Sequence, residues 1–214
     1  DFHVSSSQIM RQEGACSPID GRTLMTTDCA KTSLAPPIWV LAMAVSAANV
    51  GISLLSPAIP QLRDDLMVTS DEAQLVLSAF LIMLGVGQLI AGSLSDRIGR
   101  RPVLVYGSLL FLLSGLGALF STSIEMLVAM RIFQGLGAAT CMAMGRVIIS
   151  DSFQRAEAGR QMSTITMFQS VVPLLGFAFG GVMADLVGWR GSVGLMVVTA
   201  AIVFLGTSLL LAES

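Results

Sequence analysis

The stretch Gly92-Ser-Leu-Ser-Asp96-Arg97-Ile-Gly99-Arg100-Arg101-Pro102 is a short basic segment between two long uncharged ones. No charged residue occurs from Ala73 to Ser95 or from Pro102 to Ile124. Apolar runs of this length, joined by only a few residues, are typical of a transmembrane helical hairpin. Because arginine concentrates on the cytoplasmic side of membrane proteins, the three arginines predict that this joint is cytoplasmic.

The composition agrees with a membrane protein. The chain is 54% hydrophobic and only 12% charged, and its mean hydropathy is +0.79. A net charge of −2, without any basic stretch that alternates with aromatic residues, argues against a nucleic-acid partner. The single histidine, His3, lies outside every apolar run, which removes histidine-based catalysis and histidine metal ligands from the membrane region. We expect no catalytic residue, no metal site and no cofactor. The dispersed cysteines Cys16, Cys29 and Cys141 are expected to be free thiols.

The pattern predicts an all-α membrane protein with two parts. Residues 1–35 are polar and mixed in charge, which is typical of a disordered tail. Residues 36–214 are expected to form a six-helix transmembrane bundle. The predicted helices cover approximately residues 36–59, 71–95, 102–121, 125–149, 161–186 and 192–211. The stretch Gln61–Glu72 is interpreted as an external loop, and 151–160 as a second polar loop.

The distribution of lysine and arginine orients this bundle. Nine basic residues fall on one predicted side, two fall on the other, and Arg131 lies within a helix. The imbalance predicts that both termini are cytoplasmic and that the protein is a multi-pass protein of the cell membrane. The nine are Arg11, Arg22, Lys31, Arg97, Arg100, Arg101, Arg146, Arg155 and Arg160; the two are Arg63 and Arg190.

Arg131 is the residue with the sharpest functional signal. A charge inside a membrane helix costs at least about 2.5–3.5 kcal/mol on insertion scales, so it is rarely incidental. Small or polar residues continue its helix face, as expected for the wall of a cavity. They are Gln134, Ala138, Cys141 and Gly145. The alternative is that Arg131 extends to the outer membrane interface, since it lies only about two turns from the predicted helix start.

Two further helices carry polar side chains along one face. A polar stripe on a membrane helix must contact protein or water rather than lipid, so these residues are candidates for lining a cavity. In the first helix they are Ser46, Asn49 and Ser53, followed by Ser56; in the fifth they are Ser163, Thr166 and Ser170. For the first helix, a seam of helix packing explains the stripe equally well.

Small residues at regular spacing predict close helix packing. Gly176 and Gly180, four residues apart, indicate a seam in the fifth helix. Ser78, Gly85 and Gly92 repeat every seven residues and indicate another in the second helix.

Three motifs in this sequence resemble the major facilitator superfamily. The basic joint matches that family's signature between its second and third helices. Leu127-x-x-x-Arg131-x-x-Gln134-Gly135-x-Gly137-Ala138-Ala139 matches the fourth-helix motif of its proton-coupled drug exporters. Pro173-x-x-Gly176-Phe177-x-x-Gly180-Gly181 resembles the fifth-helix antiporter motif, but Phe177 stands where the family usually has proline. The resemblance covers residues 36–214 and is greatest to exporters of the bicyclomycin-resistance type.

The resemblance assigns roles to the motif residues. It implies a cytoplasmic gate, transport and coupling residues, and a helix-packing motif. The gate would comprise Gly92, Asp96, Arg97, Gly99, Arg100 and Arg101, with Asp151 as a plausible partner of the arginines. The transport and coupling residues would be Arg131, Gln134 and Gly135, and the packing motif Pro173, Gly176, Gly180 and Gly181. The alternative for the arginines is that they only anchor the hairpin to lipid headgroups.

The resemblance also implies a function. Family members usually have two six-helix bundles, so this chain would be the N-terminal half of a secondary transporter. Export of drugs or small metabolites by alternating access is expected, with a proton as the coupling ion. Neither of the first two helices, however, has the carboxylate that many such exporters place there. The implied partners are a small-molecule substrate, the lipid bilayer, a proton and a second six-helix half or second copy.

Two other classes of function compete with the transporter. An intramembrane enzyme is disfavoured, because no Gly-x-Ser-x-Gly turn, membrane histidine or pair of membrane aspartates is present. A channel subunit or a non-transporting six-helix module is the remaining alternative. Arg131 argues against a passive scaffold, because a buried charge would then have no use.

Overall fold

The computed structural model describes residues 38–153 and 155–210, and every regular element in them is helical. In chain order these are α1 (Ile38–Ser53), a 3-10 turn (Ser56–Ala58), α2 (Ile59–Leu66), α3 (Ser70–Ile98), α4 (Arg100–Leu119), α5 (Ile124–Ser152), α6 (Arg155–Val187) and α7 (Trp189–Leu210). In this part of the chain six segments are long and apolar enough to cross a membrane, with α1 to α2 forming one segment. The predicted all-α membrane fold is confirmed. The predicted tail, residues 1–35, lies outside the described residues.

The first segment is longer than predicted. Interpreting Gln61–Glu72 as a loop is wrong over its first half, because α2 continues to Leu66. Pro57 and Pro60 each lie in the first turn of a helical element, where the missing proline N–H breaks no helical hydrogen bond. The chain therefore resumes a helix after a short interruption. Met67 follows the last residue of α2, and its left-handed φ of 54° terminates the helix.

A capping box begins α3. The N-cap is Thr69, two residues before the predicted start of this helix at residue 71. The Thr69 hydroxyl accepts a hydrogen bond from the Glu72 N–H at 3.3 Å, and the Glu72 carboxylate accepts one from the Thr69 N–H at 2.9 Å. Both backbone N–H groups at the helix start thereby have hydrogen-bond acceptors, which stabilises this end of α3.

The connection between α3 and α4 is a single residue. Gly99 has a φ of 94°, a conformation that side-chain-bearing residues rarely adopt. This allows α4 to begin at Arg100, two residues before the predicted start. At the other end, Gly188 (φ 84°) alone connects α6 to α7, which begins at Trp189 instead of near residue 192. Single glycines thus allow two sharp reversals between neighbouring helices.

The predicted polar loop at 151–160 is wrong. Helix α5 continues to Ser152, and α6 already begins at Arg155. Polar residues can remain helical where a helix projects beyond the hydrocarbon core, so the end of an apolar run does not mark the end of a helix. One consequence concerns Arg146, which the charge count assigned to the cytoplasmic side. It lies six residues before the end of α5, which is about 9 Å along the helix axis.

Helix α5 is at the centre of the bundle and packs against α1, α3 and α4. Glycines allow these contacts to be close. A Cβ atom added to Gly137 would lie 2.6 Å from the backbone nitrogen of Phe111 and 2.8 Å from the carbonyl oxygen of Gly107. Helices α4 and α5 are therefore in backbone contact, as small residues permit in membrane proteins.

The predicted small-residue seam on α3 does not pack against another of the described helices. A Cβ atom added to Gly85 or Gly92 would meet nothing within 4 Å. The close approach is made instead by Gly87, where an added Cβ atom would lie 2.7 Å from the Cβ atom of Ala139. A seven-residue repeat drifts around a helix of 3.6 residues per turn, so spacing alone did not identify the covered face.

Candidate functional site

Arg131 is fully buried in the middle of the bundle. Its Nη1 donates a hydrogen bond to the carbonyl oxygen of Gly51 on α1, at 3.1 Å. The same nitrogen lies 3.7 Å from the Sδ atom of Met196 on α7, and the guanidinium lies 5.8 Å from the ring centre of Phe80 on α3. The side chain therefore contacts three other helices and does not extend to the outer interface.

The polar groups around Arg131 are incompletely paired. Among the described residues, Nε and Nη2 of Arg131 and Oε1 of Gln134 have no hydrogen-bond partner, although all are buried. Gln134 Nε2 lies 3.5 Å from Met196 Sδ, and a thioether sulfur is only a weak acceptor. Leaving charged and polar donors unpaired in a core is costly, so such groups demand an explanation beyond folding.

Gly135 lets α3 approach the buried arginine. A Cβ atom added to it would lie 2.6 Å from the carbonyl oxygen of Phe80. The Phe80 ring is also tightly packed on its other side, because a Cβ atom added to Gly51 would lie 2.8 Å from it. Phe80 thus forms a wedge between α1 and α5, beside Arg131. Neither Phe80 nor Met196 was singled out from the sequence, since both resemble ordinary apolar core residues.

The predicted wall along Arg131 is a packing surface. Gln134, Ala138, Cys141 and Gly145 are all buried. A Cβ atom added to Gly145 would lie 2.5 Å from Cγ2 of Val45 on α1, which is closer than van der Waals contact. The interpretation of this α5 face as the wall of an open cavity is therefore wrong, because α1 packs against it and Met196 of α7 lies beside Gln134.

The basic joint contains an interhelical ion pair. Arg100, the first residue of α4, pairs with Asp151 near the end of α5. Both side chains are nearly half exposed, at 45% and 44%. Asp96 and Arg97 are exposed, and Arg101 is partly buried. For the part of the chain that the structure describes, no side-chain hydrogen bond caps the start of α4.

The polar residues of α1 differ in accessibility. Ser46 and Ser53 are buried, and the Ser53 hydroxyl donates to the Asn49 carbonyl oxygen at 2.7 Å. Asn49 is only partly buried, and its Nδ2 donates to the backbone oxygen of Gln169 on α6 at 3.2 Å. Ser46 and Ser53 therefore belong to helix contacts, whereas Asn49 lies at their edge.

Helix α6 has one open polar face and one packed face. Ser163, Thr166 and Ser170 are exposed, and their hydroxyls donate to carbonyl oxygens one turn earlier in the same helix. On the packed face, Gly176 lies against Ser53 and Gly180 against the Leu54 backbone, with no space for a Cβ atom. Pro173 is partly buried inside the helix, and Gly181 makes only ordinary contact with Pro57.

A second arginine of α5, Arg146, forms a hydrogen bond between helices. Arg146 Nη2 donates to Gln169 Oε1 at 3.3 Å, and Gln169 Nε2 donates to the Val45 carbonyl oxygen at 3.3 Å. Neither Arg146 nor Gln169 was predicted as a site residue. The available signal was that Arg146 precedes the predicted helix end at 149 by three residues. In the described residues, no His, Cys, Asp and Glu side chains group as metal ligands would.

Comparison with known proteins identifies relatives of this bundle. The family model described as Major Facilitator Superfamily matches residues 41–214. A chloramphenicol resistance protein of Pseudomonas aeruginosa is 33% identical over 163 residues, which are 74% of this chain and 38% of that protein. Multidrug resistance protein D of Escherichia coli (strain K12) is 32% identical over 168 residues, which are 78% of this chain and 43% of that protein.

The solved structures agree on the fold. The crystal structure of a D-xylose-proton symporter superposes with a TM-score of 0.73 at 16% sequence identity, covering 83% of this chain and 48% of that one. Like the two curated relatives, the symporter is much longer than the part matched, so this chain spans between 38% and 48% of these three proteins. The family model covers most of the described bundle, and the chain belongs to the major facilitator superfamily.

Proposed function

We propose that this chain is the N-terminal six-helix half of a secondary transporter that exports drug-like small molecules by alternating access. The observation that carries the proposal is its similarity, over 38% to 43% of their length, to a chloramphenicol resistance protein and a multidrug resistance protein. A transporter of this family has a use for a buried, incompletely paired arginine such as Arg131. A passive six-helix module has no such use, and the similarity to the two resistance proteins favours a transporter over a channel subunit.

A second six-helix bundle, either a further half or a second copy, would pack against α3 and α6. In the most apolar 18-residue stretch of each helix, 22% of the residues of α3 and 17% of those of α6 are buried, against 67% in the first segment. Lipid could cover apolar side chains, but the open face of α6 carries Ser163, Thr166 and Ser170. Such a polar stripe is better suited to protein or a water-filled cavity than to lipid. The substrate would then bind between the two bundles.

The basic joint would act as the cytoplasmic gate of this transporter. The Arg100–Asp151 pair ties α4 to α5, while Asp96 and Arg97 remain accessible to a second bundle. A forked arginine–carboxylate contact between bundles is strong enough to favour one state of a two-state gate. Opening toward the cytoplasm would require the contacts between the two bundles to break.

Both termini would be cytoplasmic, since Arg97, Arg100 and Arg101 lie at one end of the bundle. The test is cysteine labelling in cells, after the native cysteines are replaced. Cysteines introduced at Ser70 and Ser152 are expected to react with impermeant reagents from opposite sides of the membrane. Labelling of both from the same side would contradict this topology.

A proton is the coupling ion that we propose, with Arg131, Gln134 and Gly135 as the coupling region of this half. In the described helices, acidic residues occur only near helix ends. The group that carries the proton would therefore come from the second bundle. Arg131 would sense its protonation through electrostatic attraction, which is strong in a buried site.

Export from cells tests the proposed function. The intact protein, produced in bacteria that lack their own drug pumps, is expected to lower the steady-state accumulation of radiolabelled chloramphenicol. Dissipation of the proton gradient should abolish the difference from cells with an empty vector. Equal accumulation in both strains, for chloramphenicol and for a panel of unrelated drugs, would contradict export.

A further inference from the structure

We propose that Arg146, Gln169 and Asn49 form a recognition site for a hydrogen-bond-accepting group of a neutral or anionic substrate. We call these three residues the α1–α5–α6 cluster. The inference rests on the proposed export function and names the chemical class of its substrate. It also implies that permanently cationic molecules are poor substrates.

The cluster is connected by hydrogen bonds across three helices. Arg146 donates to the Gln169 side chain at 3.3 Å, and Asn49 donates to the Gln169 backbone oxygen at 3.2 Å. Gln169 in turn donates to the Val45 carbonyl oxygen at 3.3 Å, which fixes the orientation of its amide. All three residues are partly buried. A ligand that enters beside the exposed Thr166 and Ser170 of α6, which we call the open side, could therefore reach them.

The Arg146 side chain reaches Gln169 of α6 and does not extend along α5 toward its end at Ser152. Its Cα–Cβ bond tilts toward the start of α5 and therefore away from the end of that helix at Ser152. Its partner Gln169 lies fourteen residues into α6, about 21 Å along the axis from Arg155. The hydrogen bond to Gln169 therefore excludes a simple explanation in which Arg146 extends to the cytoplasmic surface.

The donor capacity of Arg146 exceeds its use among the described residues. A guanidinium has five N–H donors and no acceptor, and one of these donors reaches Gln169. Across the described helices no carboxylate lies within ion-pair distance of Arg146. Donors that remain available in a membrane interior are suited to carbonyl, nitro, hydroxyl or carboxylate oxygens of a ligand.

The charge distribution disfavours cations. In the described segments the acidic residues lie near helix ends, whereas Arg131 and Arg146 lie inside α5. The acidic residues are Asp64, Asp65, Asp71, Glu72, Asp96, Glu125, Asp151, Glu157 and Asp185. Two arginines without interior carboxylates give the open side a positive potential, which repels a cation at short range in a low dielectric. The cluster therefore discriminates substrates by charge.

The experiment compares substrates of different charge in the intact transporter. A carboxylate of the second bundle could attract cations to the cluster, and measurement in the intact protein includes that effect. Efflux rates are measured for chloramphenicol, which is neutral, for amphipathic organic anions, and for tetraphenylphosphonium and other permanent cations. The protein is expected to export neutral or anionic probes at least about tenfold faster than cations. Arg146→Gln should lower that export by about ten- to a hundredfold, the factor for one lost charge-assisted hydrogen bond.

Two variants separate recognition from a structural role. Gln169→Glu keeps an acceptor for Arg146 and offsets its positive charge, but it gives up the hydrogen bond to the Val45 carbonyl oxygen. It should therefore lose export of neutral and anionic probes, and its loss of thermal stability should be no greater than that of Gln169→Met, which removes the same hydrogen bond without adding a charge. Arg160→Gln, at an exposed position near the start of α6, is the matched control and should export like the unmodified protein.

The outcomes distinguish this inference from the proposed function. Export of cations as fast as neutral probes overturns the charge selectivity but leaves export standing. A uniform loss over all charge classes in Arg146→Gln, or unchanged efflux in Gln169→Glu, assigns the cluster to helix packing and likewise overturns it. No export of any probe by the unmodified protein overturns both.

Discussion

Replacing Arg131 with methionine is expected to lower transport by the intact protein about ten- to a hundredfold and to leave its thermal stability unchanged or raised. Methionine has a similar length, and it can pack against Phe80 and Met196. Replacing a buried charge by an apolar side chain of similar volume is often neutral or stabilising. Loss of a charge-assisted hydrogen bond, worth about 1.5–3 kcal/mol, sets the expected size of the transport effect.

A loss of transport without a loss of thermal stability would identify the role of Arg131. If Arg131 only fastened α5 to Gly51 of α1, the methionine variant would lose stability, and transport would fall with the amount of folded protein. Transport assays and thermal unfolding in detergent, made on the same preparation, distinguish these cases. Arg160→Met is the control, because Arg160 is exposed near the start of α6. Normal transport by Arg131→Met would show that the buried charge has no functional role.

Asp96→Asn is expected to give near-normal surface expression and about ten- to a hundredfold less transport. Asparagine caps helices about as well as aspartate, so a capping role predicts only a mild effect. The start of α4 at Gly99 lacks a side-chain cap among the described residues, and Arg100 pairs with Asp151. Asp96 is exposed, so its charge is available to a second bundle. Loss of one charged hydrogen bond there, about 1.5–3 kcal/mol, would favour the inward-open state.

Matched substitutions make this test specific to charge. Asp96→Ala should resemble Asp96→Asn, because both remove the charge. Asp185→Asn is the control, since Asp185 is also exposed but lies near the end of α6, close to Gln61. Full transport in Asp96→Asn would leave the arginines of the joint as topology anchors.

The fold was predictable because its main determinant is local. Uncharged runs such as Ala73–Ser95 have no stable place in water at this length, and a backbone that enters lipid must be helical. Helix ends were less predictable. The segments 61–66 and 155–160 are helical although they are polar, because a helix outside the hydrocarbon core needs no apolar side chains.

The arrangement of the site was only partly predictable. Arg131 was evident from its charge in an apolar run, but its contacts with Gly51 and Met196 join residues 80 and 65 positions away. Likewise, the polar face of α1 did not reveal that Ser53 is buried against Gly176 while Asn49 remains accessible. Burial of a membrane helix face depends on its neighbours, which the periodicity of a single helix does not specify.

The most direct test of the half-transporter proposal is substrate flux in sealed vesicles, measured for two purified samples at equal protein content. One contains the 214-residue chain alone, and the other contains this chain within the intact protein, or together with its partner bundle. We predict saturable flux driven by a proton gradient in the second sample. The chain alone should show no flux above empty vesicles. Saturable flux by the chain alone, at a dilution that leaves one copy in each vesicle, would contradict the proposal.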